Sequence, residues 1–402
     1  MARRLDPTIK QQEIIRNQLQ GALQGEVLTE VRRATQGARI EFVERAKMAA
    51  NGLKITQTTM PVLYNLCNEV KNDLEFTQDV DFYILGDNEV NASAYISEDE
   101  DKPHIIVIHS ALFNLMDDLE MKYIVGHEIG HLVNKDSYIG RLYDFIYPDE
   151  EEAPEIISTR MNQYRQLAEY AADRYGYNAC MDLGAAITAL YKLICGIDLK
   201  KMGVSIDSLI EQNFDKADEL MSQGIVHISD HPDIPLRIHA MLLYAKCKTI
   251  KALEENMAIL FESIPGMFHS DIDYQMALFT AASGIRLATK DGKIEKAERD
   301  MILEEIAKYD LEPSKILKKV QKEDVDIVFE QSLSFVLDKD ASRAIDMFRF
   351  YIDLSFADKV LTKEELDSVK EFGVSLGLEE SLIYEKIADV IREKYWSLAD
   401  GL

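Results

Sequence analysis

The sequence has no long apolar run. No stretch of its 402 residues approaches the ~20 consecutive apolar residues that a transmembrane helix needs. Residues 1–16 have no apolar core behind their two arginines, which is unlike a signal peptide. From these two absences we expect a soluble, cytoplasmic protein. Peripheral attachment to a membrane surface through the sparse N-terminal basic residues is left open as an alternative.

Cysteine and positive charge are also scarce. The four cysteines have no CxxC spacing, which argues against a metal cluster or a redox motif; they are Cys67, Cys180, Cys195 and Cys247. Lys and Arg number 45 against 71 Asp and Glu, so the formal net charge is −26. Because a phosphate backbone would be repelled by such a chain, a nucleic-acid partner is excluded.

One short segment specifies a chemistry. His127-Glu128-Ile129-Gly130-His131 places two histidines four residues apart, which on a helix puts both imidazoles on one face, one turn from each other. The two rings can then hold one metal ion, and Glu128 can reach a water molecule on that ion. This is the HExxH pattern, in which His127 and His131 are zinc ligands and Glu128 is a general base for hydrolysis.

The residues around this motif predict a helix. Asp117 is the predicted N-cap, and Glu120, three residues later, is its capping-box partner. Gly126 and Gly130 are unusual inside a helix, since each costs about 1 kcal/mol relative to alanine. We expect these small residues to let a second backbone approach the metal helix closely. The alternative is a surface helix that carries two solvated histidines.

A catalytic zinc ion takes a third protein ligand and leaves a fourth position to water. A second predicted helix, at about residues 160–180, carries Glu169 and Asp173 four residues apart and therefore on one face. Glu169 is the expected third ligand. Asp173 is the expected acceptor for the other ring N–H of a ligating histidine, and we favour His127. The alternative is an exposed acidic helix face.

The sequence HEIGH, followed by ExxAD-R-x-G at residues 169–176, resembles zinc endopeptidases of the HtpX and CAAX-prenyl-protease type, a gluzincin family. The resemblance covers roughly residues 60–245 and implies a zincin-like domain with a small sheet and one Zn²⁺ per chain. Three further segments resemble the family in the same order. They are Asn91-Ala92-Ser93-Ala94 of the substrate-binding edge strand, residues 105–112 of the following strand and turn, and His231-Pro232 with Arg237-Ile238, which close the domain.

The resemblance implies roles for these segments. The edge strand of Asn91, Ala92, Ser93 and Ala94 would bind a peptide by backbone pairing. His231 would hydrogen-bond the oxyanion that forms when water attacks the amide, and Arg237 would orient His231 or neutralise a nearby carboxylate. Where family members often carry a further histidine shortly after HExxH, this chain has Asn134-Lys135-Asp136-Ser137.

From about residue 271 the pattern is helical and contains an internal repeat. Residues 291–298 recur as residues 358–365. This unit resembles the TerB-like domain of tellurite-resistance proteins, which implies an all-α bundle of two halves. With one constant offset and no gap, Ile285 falls on Ile352, Leu311 on Leu378, Ser314 on Ser381, Ile316 on Ile383 and Val320 on Ile387.

The sequence therefore predicts an α+β fold that is mainly helical, in four parts. These are an N-terminal helical arm (1–55), a zinc metallopeptidase domain (56–247), a linker (248–270) and a TerB-like all-α domain (271–402). The arm is expected to pack on the body or on another subunit. The proline-bounded segment 147–154 is expected to be a solvated loop, with a lid over the cleft as the alternative.

The function that we expect is a soluble zinc-dependent endopeptidase that acts on a protein or peptide substrate, with a further protein partner for the C-terminal domain. The alternative is a stress-response scaffold with an idle protease fold that acts through its TerB-like domain. Every residue type that the chemistry needs is present, which favours the enzyme.

Overall fold

The computed structural model describes residues 5–32, 34, 38–97, 99, 101–223, 231–261, 264, 267, 270–288, 296–356 and 363–399. It divides into two compact units, Met1–Pro265 and Gly266–Leu402. The chain is mainly helical with one small sheet, so the predicted α+β class is confirmed. In the described ranges, every helix falls short of the length or the apolar content that a bilayer crossing requires.

The sheet of the first unit is mixed and has four strands in the order β1-β2-β4-β3. The strands β2 and β4 are parallel, whereas β1 and β3 are antiparallel to their neighbours. Ile106 and Ile108 of β4 point to the main core, and Ile105 and Val107 alternate with them on the other face against Met48. The strand β3 lies at one edge. The strands are β1 Gly52–Lys54, β2 Val80–Leu85, β3 Ala92–Tyr95 and β4 His104–His109.

The first unit has twelve α-helices in the described ranges. They are α1 Lys10–Ala22, α2 Gly25–Arg32, α3 Ala38–Asn51, α4 Pro61–Asp73, α5 Ser110–Leu115, α6 Asp118–Asn134, α7 Asp136–Ile146, α8 Glu155–Cys180, α9 Leu183–Cys195, α10 Ile206–Gln223, α11 Ile234–Lys246 and α12 Ile250–Phe261. The segment 147–154 contains a short 3₁₀ turn at Glu150–Glu152. The expectation of a solvated loop, with a lid as the alternative, stays a prediction.

The helix α6 begins where the sequence predicts. The carboxylate of Asp117 accepts hydrogen bonds from the backbone N–H groups of Leu119 and Glu120, and the Glu120 carboxylate accepts one from the Asp117 N–H, which completes the capping box. The helix ends at Lys135, whose φ of 57° is in the left-handed region, and α7 starts at the next residue. This sharp turn brings the first residue of α7 back beside the last turn of α6.

Glycine allows α6 and α8 to pack backbone against backbone. A Cβ at Gly126 would lie 2.5 Å from the Ala179 Cβ, and a Cβ at Gly130 would lie 3.0 Å from the Ala172 Cα. Both distances leave no room for a larger residue. The expectation that small residues let a second backbone approach the metal helix is therefore confirmed, and the second backbone is that of α8.

The N-terminal segment packs on the body of its own unit. Ile15 and Leu19 of α1 are buried, and α1 packs on α7 and α8. Residues 52–54, which we assigned to the helical arm, instead form β1, because Gly52–Lys54 pairs with the end of β2. The segment 1–55 thus contributes a strand to the sheet of the first unit as well as helices.

Much of the segment 248–270 is helical and packed, although the sequence suggested a linker. The helix α12 buries four apolar residues that recur at helical spacing; they are Leu253, Met257, Leu260 and Phe261. The ring of Phe261 packs on the buried Tyr170 of α8, with ring centroids 6.2 Å apart. This burial holds α12 on the rest of the first unit.

The second unit is all helical in its described residues. Its helices are α13 Asp271–Ala288, α14 Lys296–Ala307, α15 Pro313–Val320, α16 Val325–Lys339, α17 Ala344–Ser355, α18 Lys363–Ser375 and α19 Glu380–Ala399. Segments 289–295 and 357–362, which carry most of the repeated motif, lie outside the described residues. Equivalent positions nevertheless share one core: Ile285 and Ile352, Ile316 and Ile383, Val320 and Ile387. The starts of α15 and α19 differ by the same offset.

Candidate metal centre

Two histidines from α6 and one glutamate from α8 converge in the first unit. The Nε2 atoms of His127 and His131 lie 3.1 Å apart. One carboxylate oxygen of Glu169 is 3.6 Å from the His127 Nε2, and the other is 3.6 Å from the His131 Nε2. The three side chains thus offer ligand atoms that all lie within 4.8 Å of one another. The structure therefore brings together the three residues that the sequence assigned to a metal ion.

The surroundings of the two rings fit a metal ion. The His127 Nδ1 lies 3.1 Å from the Asp173 Oδ1, and the His131 Nδ1 lies 2.9 Å from the Asp136 Oδ2. An ionised carboxylate can only accept a hydrogen bond, so each Nδ1 can donate to its carboxylate, which leaves each Nε2 as the ring atom that can bind a metal ion. Two imidazole nitrogens and one carboxylate are a donor set of catalytic zinc sites.

Arg237 of α11 bridges two of the buried carboxylates. Its guanidinium donates to both oxygens of Asp173, at 2.8 and 2.6 Å, and its Nη1 lies 3.0 Å from the Glu169 Oε2. Burial acts to raise the pKa of Asp173, but the charge and hydrogen bonds of Arg237, together with His127, outweigh burial and lower that pKa to about 2. Burial also acts to raise the pKa of Glu169, and Arg237, His231 and the two histidines of α6 together hold it well below its usual value. This geometry places Arg237 beside two carboxylates, and both roles implied for it stay predictions.

Glu128 lies beside the two histidines and is buried, with 6% of its surface exposed. Burial raises the pKa of its carboxyl group, against the lowering effect of His127 and His131. A carboxyl group in this environment exchanges a proton closer to neutral pH than a solvated glutamate does. The position and the direction of this shift suit a group that takes up and returns a proton.

His231 lies against Glu169, the expected third ligand. Its Nδ1 is 3.1 Å from the Glu169 Oε1, and its side chain is 67% exposed. The sequence placed His231 across the metal from Glu128 as an oxyanion donor. The structure brings it to the site through Glu169, and its role towards an oxyanion stays a prediction.

A cleft of about 260 Å³ connects these residues with the edge strand. The ligand-bearing helix α6 lines one side, and β3 lines another. The sequence-predicted residues that line the cleft are Asn91, Ala92, Ser93, Ala94, His127, Glu128, His131, Glu169, His231 and Arg237. Asp173 lies behind the ligands, where the Tyr123 hydroxyl donates to its Oδ1 at 2.6 Å.

Asp136 is a residue of the site that the sequence did not predict. It follows His131 by five residues, and a helix continued through that distance would direct it elsewhere. The left-handed turn at Lys135 is what returns it to the His131 ring. The sequence did contain a signal for this role of Asp136. It is a carboxylate shortly after HExxH, in a stretch of polar residues that can end a helix.

Residues 63–146 match the family model of Peptidase family M48. The match includes β2, β3, β4, α6 and Asp136, whereas Glu169, Asp173 and Arg237 lie beyond it. No curated protein sequence matches the chain, and no solved structure does. Over the matched residues the chain is similar to Peptidase family M48, which supports a zinc metallopeptidase in general.

Proposed function

We propose that the protein is a zinc-dependent endopeptidase of the gluzincin type. The observation that carries this proposal is the convergence of His127, His131 and Glu169 beside the buried Glu128, on a cleft that an edge strand lines. The match to Peptidase family M48 over residues 63–146 supports it independently of the geometry.

His127, His131 and Glu169 would hold the zinc ion. When bound there, zinc would polarise the scissile carbonyl group and lower the pKa of a water molecule. Glu128 accepts the proton of the attacking water on its carboxylate and later donates it to the leaving amine nitrogen. Asp173 and Asp136 hold the rings of the two histidines, so that neither ring rotates away during this exchange.

The strand β3 is the proposed binding site for the substrate backbone. It is an edge strand, paired on one side with β4, and Ala92, Ser93 and Ala94 reach the cleft. A peptide that pairs with β3 is recognised through main-chain groups rather than through a terminus. This mode of binding supports cleavage of internal bonds, and the small side chains leave room for varied residues.

The decisive variant is Glu128→Gln. It should retain zinc, because Glu128 is not a ligand, and its kcat on an unstructured protein substrate should fall roughly 10²–10⁴-fold, as expected for loss of a general base. Asp118→Asn is the matched control, since it neutralises an exposed carboxylate on the same helix; its turnover should equal that of the parent protein.

Three results would contradict parts of this proposal. Turnover by Glu128→Gln at the parent rate would remove Glu128 from the chemistry. A parent protein without zinc, or with cleavage unaffected by a chelator, would refute the metal dependence. A zinc-loaded parent that cleaves no peptide would favour the scaffold function, in which the TerB-like unit is the active part.

For the second unit we propose a docking role. Its equivalent helices share one apolar core, which supports the TerB-like resemblance of a bundle with two halves. A bundle with its own core can present a surface to a partner protein while the first unit carries out catalysis.

A further inference from the structure

A side chain of the N-terminal helix reaches the metal centre. Gln12 of α1 is 5% exposed, and its Nε2 donates to the Asp136 Oδ1 at 2.8 Å. The other oxygen of Asp136 accepts from the His131 Nδ1 at 2.9 Å. Only one side chain therefore separates α1 from a zinc ligand, although Gln12 and His131 are far apart in sequence.

Asp136 is held from two sides. The Tyr164 hydroxyl of α8 donates to the same Oδ1 at 2.8 Å. With Gln12 and Tyr164 on one oxygen, the carboxylate plane is fixed and the second oxygen is directed at the His131 ring. Both donors are uncharged, so neither competes as a cation with the imidazole for the negative charge of Asp136.

The helix α1 is itself fixed to the first unit. The Tyr244 hydroxyl donates to the Leu5 carbonyl at 2.6 Å, and Arg174 donates to the Thr8 carbonyl at 3.0 Å. Ile15 and Leu19 are buried. The position of Gln12 is therefore set by backbone contacts and apolar packing that do not involve Asp136.

We propose that the N-terminal helix is a built-in positioning element of the metal centre, in which Gln12 orients Asp136 and Asp136 orients His131. This inference rests on the proposed function, because the site must bind zinc. Gln12, Tyr164 and Asp136 are positioning residues: they act on the metal through His131. The consequence is that the affinity for zinc depends on a helix that precedes the family-like residues 63–146.

The test measures zinc affinity by competition with a chelator of known affinity. Loss of an outer hydrogen bond to a ligand typically weakens metal binding roughly 10–100-fold. Gln12→Leu removes the donor at similar volume, and we expect about a tenfold weaker binding of zinc, the low end of that range, because Tyr164 remains. Gln20→Leu is the matched control: the same residue type on the same helix, but exposed. Its zinc affinity should equal that of the parent.

A double-mutant cycle separates positioning from general damage to α1. In the Asp136→Asn variant the interaction between residue 136 and His131 is already altered. Adding Gln12→Leu to that variant should therefore reduce the zinc affinity little further. If Gln12→Leu weakens binding equally in both backgrounds, it acts by displacing the helix, and the proposal is overturned. An unchanged zinc affinity of Gln12→Leu overturns it as well.

The readout also distinguishes failure of this inference from failure of the proposed function. A parent protein that binds no zinc overturns both. A parent that binds zinc but cleaves no peptide contradicts the peptidase alone, and the zinc titrations then still support or refute the positioning role.

Discussion

Replacement of Gly126 by alanine would test whether the metal centre depends on close backbone packing of α6 against α8. The new Cβ would lie 2.5 Å from the Ala179 Cβ, 3.0 Å from the Tyr175 carbonyl oxygen and 3.1 Å from the Gly176 Cα. These three atoms belong to the backbone of α8 or are fixed to it, so no side-chain rotation relieves the overlap. Either the two helices move apart, or they stay in place with a strained contact at the new methyl group.

The expected change in the free energy of unfolding is the sum of two opposing contributions. Alanine gains about 1 kcal/mol of helix propensity over glycine. Overpacking typically costs about 1–3 kcal/mol, and the upper end applies because the overlapping atoms cannot rotate away. We therefore expect a net loss of about 2 kcal/mol, which corresponds to a decrease in Tm of about 4–8 °C for a unit of this size. Since α8 carries Glu169, the same displacement should weaken zinc binding.

The matched control is Gly140→Ala in the middle of α7. A Cβ at Gly140 would meet only the Met161 Cε, at 4.0 Å, within the described structure. This variant should gain the propensity term alone and become more stable by up to about 1 kcal/mol. Far-UV circular dichroism during heating measures both variants.

If the reasoning is correct, Gly126→Ala lowers the Tm and Gly140→Ala raises it. An increase in Tm for Gly126→Ala, similar to that for Gly140→Ala, would show that α6 and α8 do not pack at this distance in solution. A decrease in Tm for both variants would instead assign the effect to something other than the overlap with α8.

Three further outcomes are expected. Lys192→Ala leaves Glu120 buried without the ammonium group that lies 2.7 Å away. Urea unfolding should show a free energy of unfolding that is lower by about 3 kcal/mol, the lower end for a broken buried pair, because Thr188 still donates to Glu120. His231→Ala should lower kcat roughly 10²–10³-fold with unchanged zinc content, and unchanged turnover would remove His231 from the mechanism. The segment 266–402 should fold when expressed alone; a non-cooperative thermal transition would contradict its having its own core.

The parts of the site that depend on local sequence were predictable. The i, i+4 spacing of His127 and His131 fixes their common face, and the same spacing relates Glu169 and Asp173. The capping box at Asp117 locates the start of α6 independently of any tertiary contact. Each of these inferences uses residues within two helical turns, where helix geometry determines which side chains are neighbours.

The supports of the site were not predictable in this way. Gln12 meets Asp136 only because α1 folds back over α7 and α8, and no periodicity within α1 indicates that partner. The same limit applies to Gly52–Lys54, whose strand exists because β2 offers it a partner. It also applies to α12, because its apolar face was visible in the sequence but the surface on which that face packs was not.

Charge compensation unites the predicted and the unpredicted parts of the site. Four carboxylates from Glu128, Asp136, Glu169 and Asp173 lie buried or nearly buried around the two histidines. Buried charges are costly unless they are paired, and Arg237 pairs with only two of these groups, Glu169 and Asp173. Arg237 leaves three of the four negative charges uncompensated, and a divalent cation at the Nε2 atoms would offset two of these three. The proposed zinc ion and Arg237 would thus together offset most of the negative charge that four acids bring to this site in a chain of net charge −26.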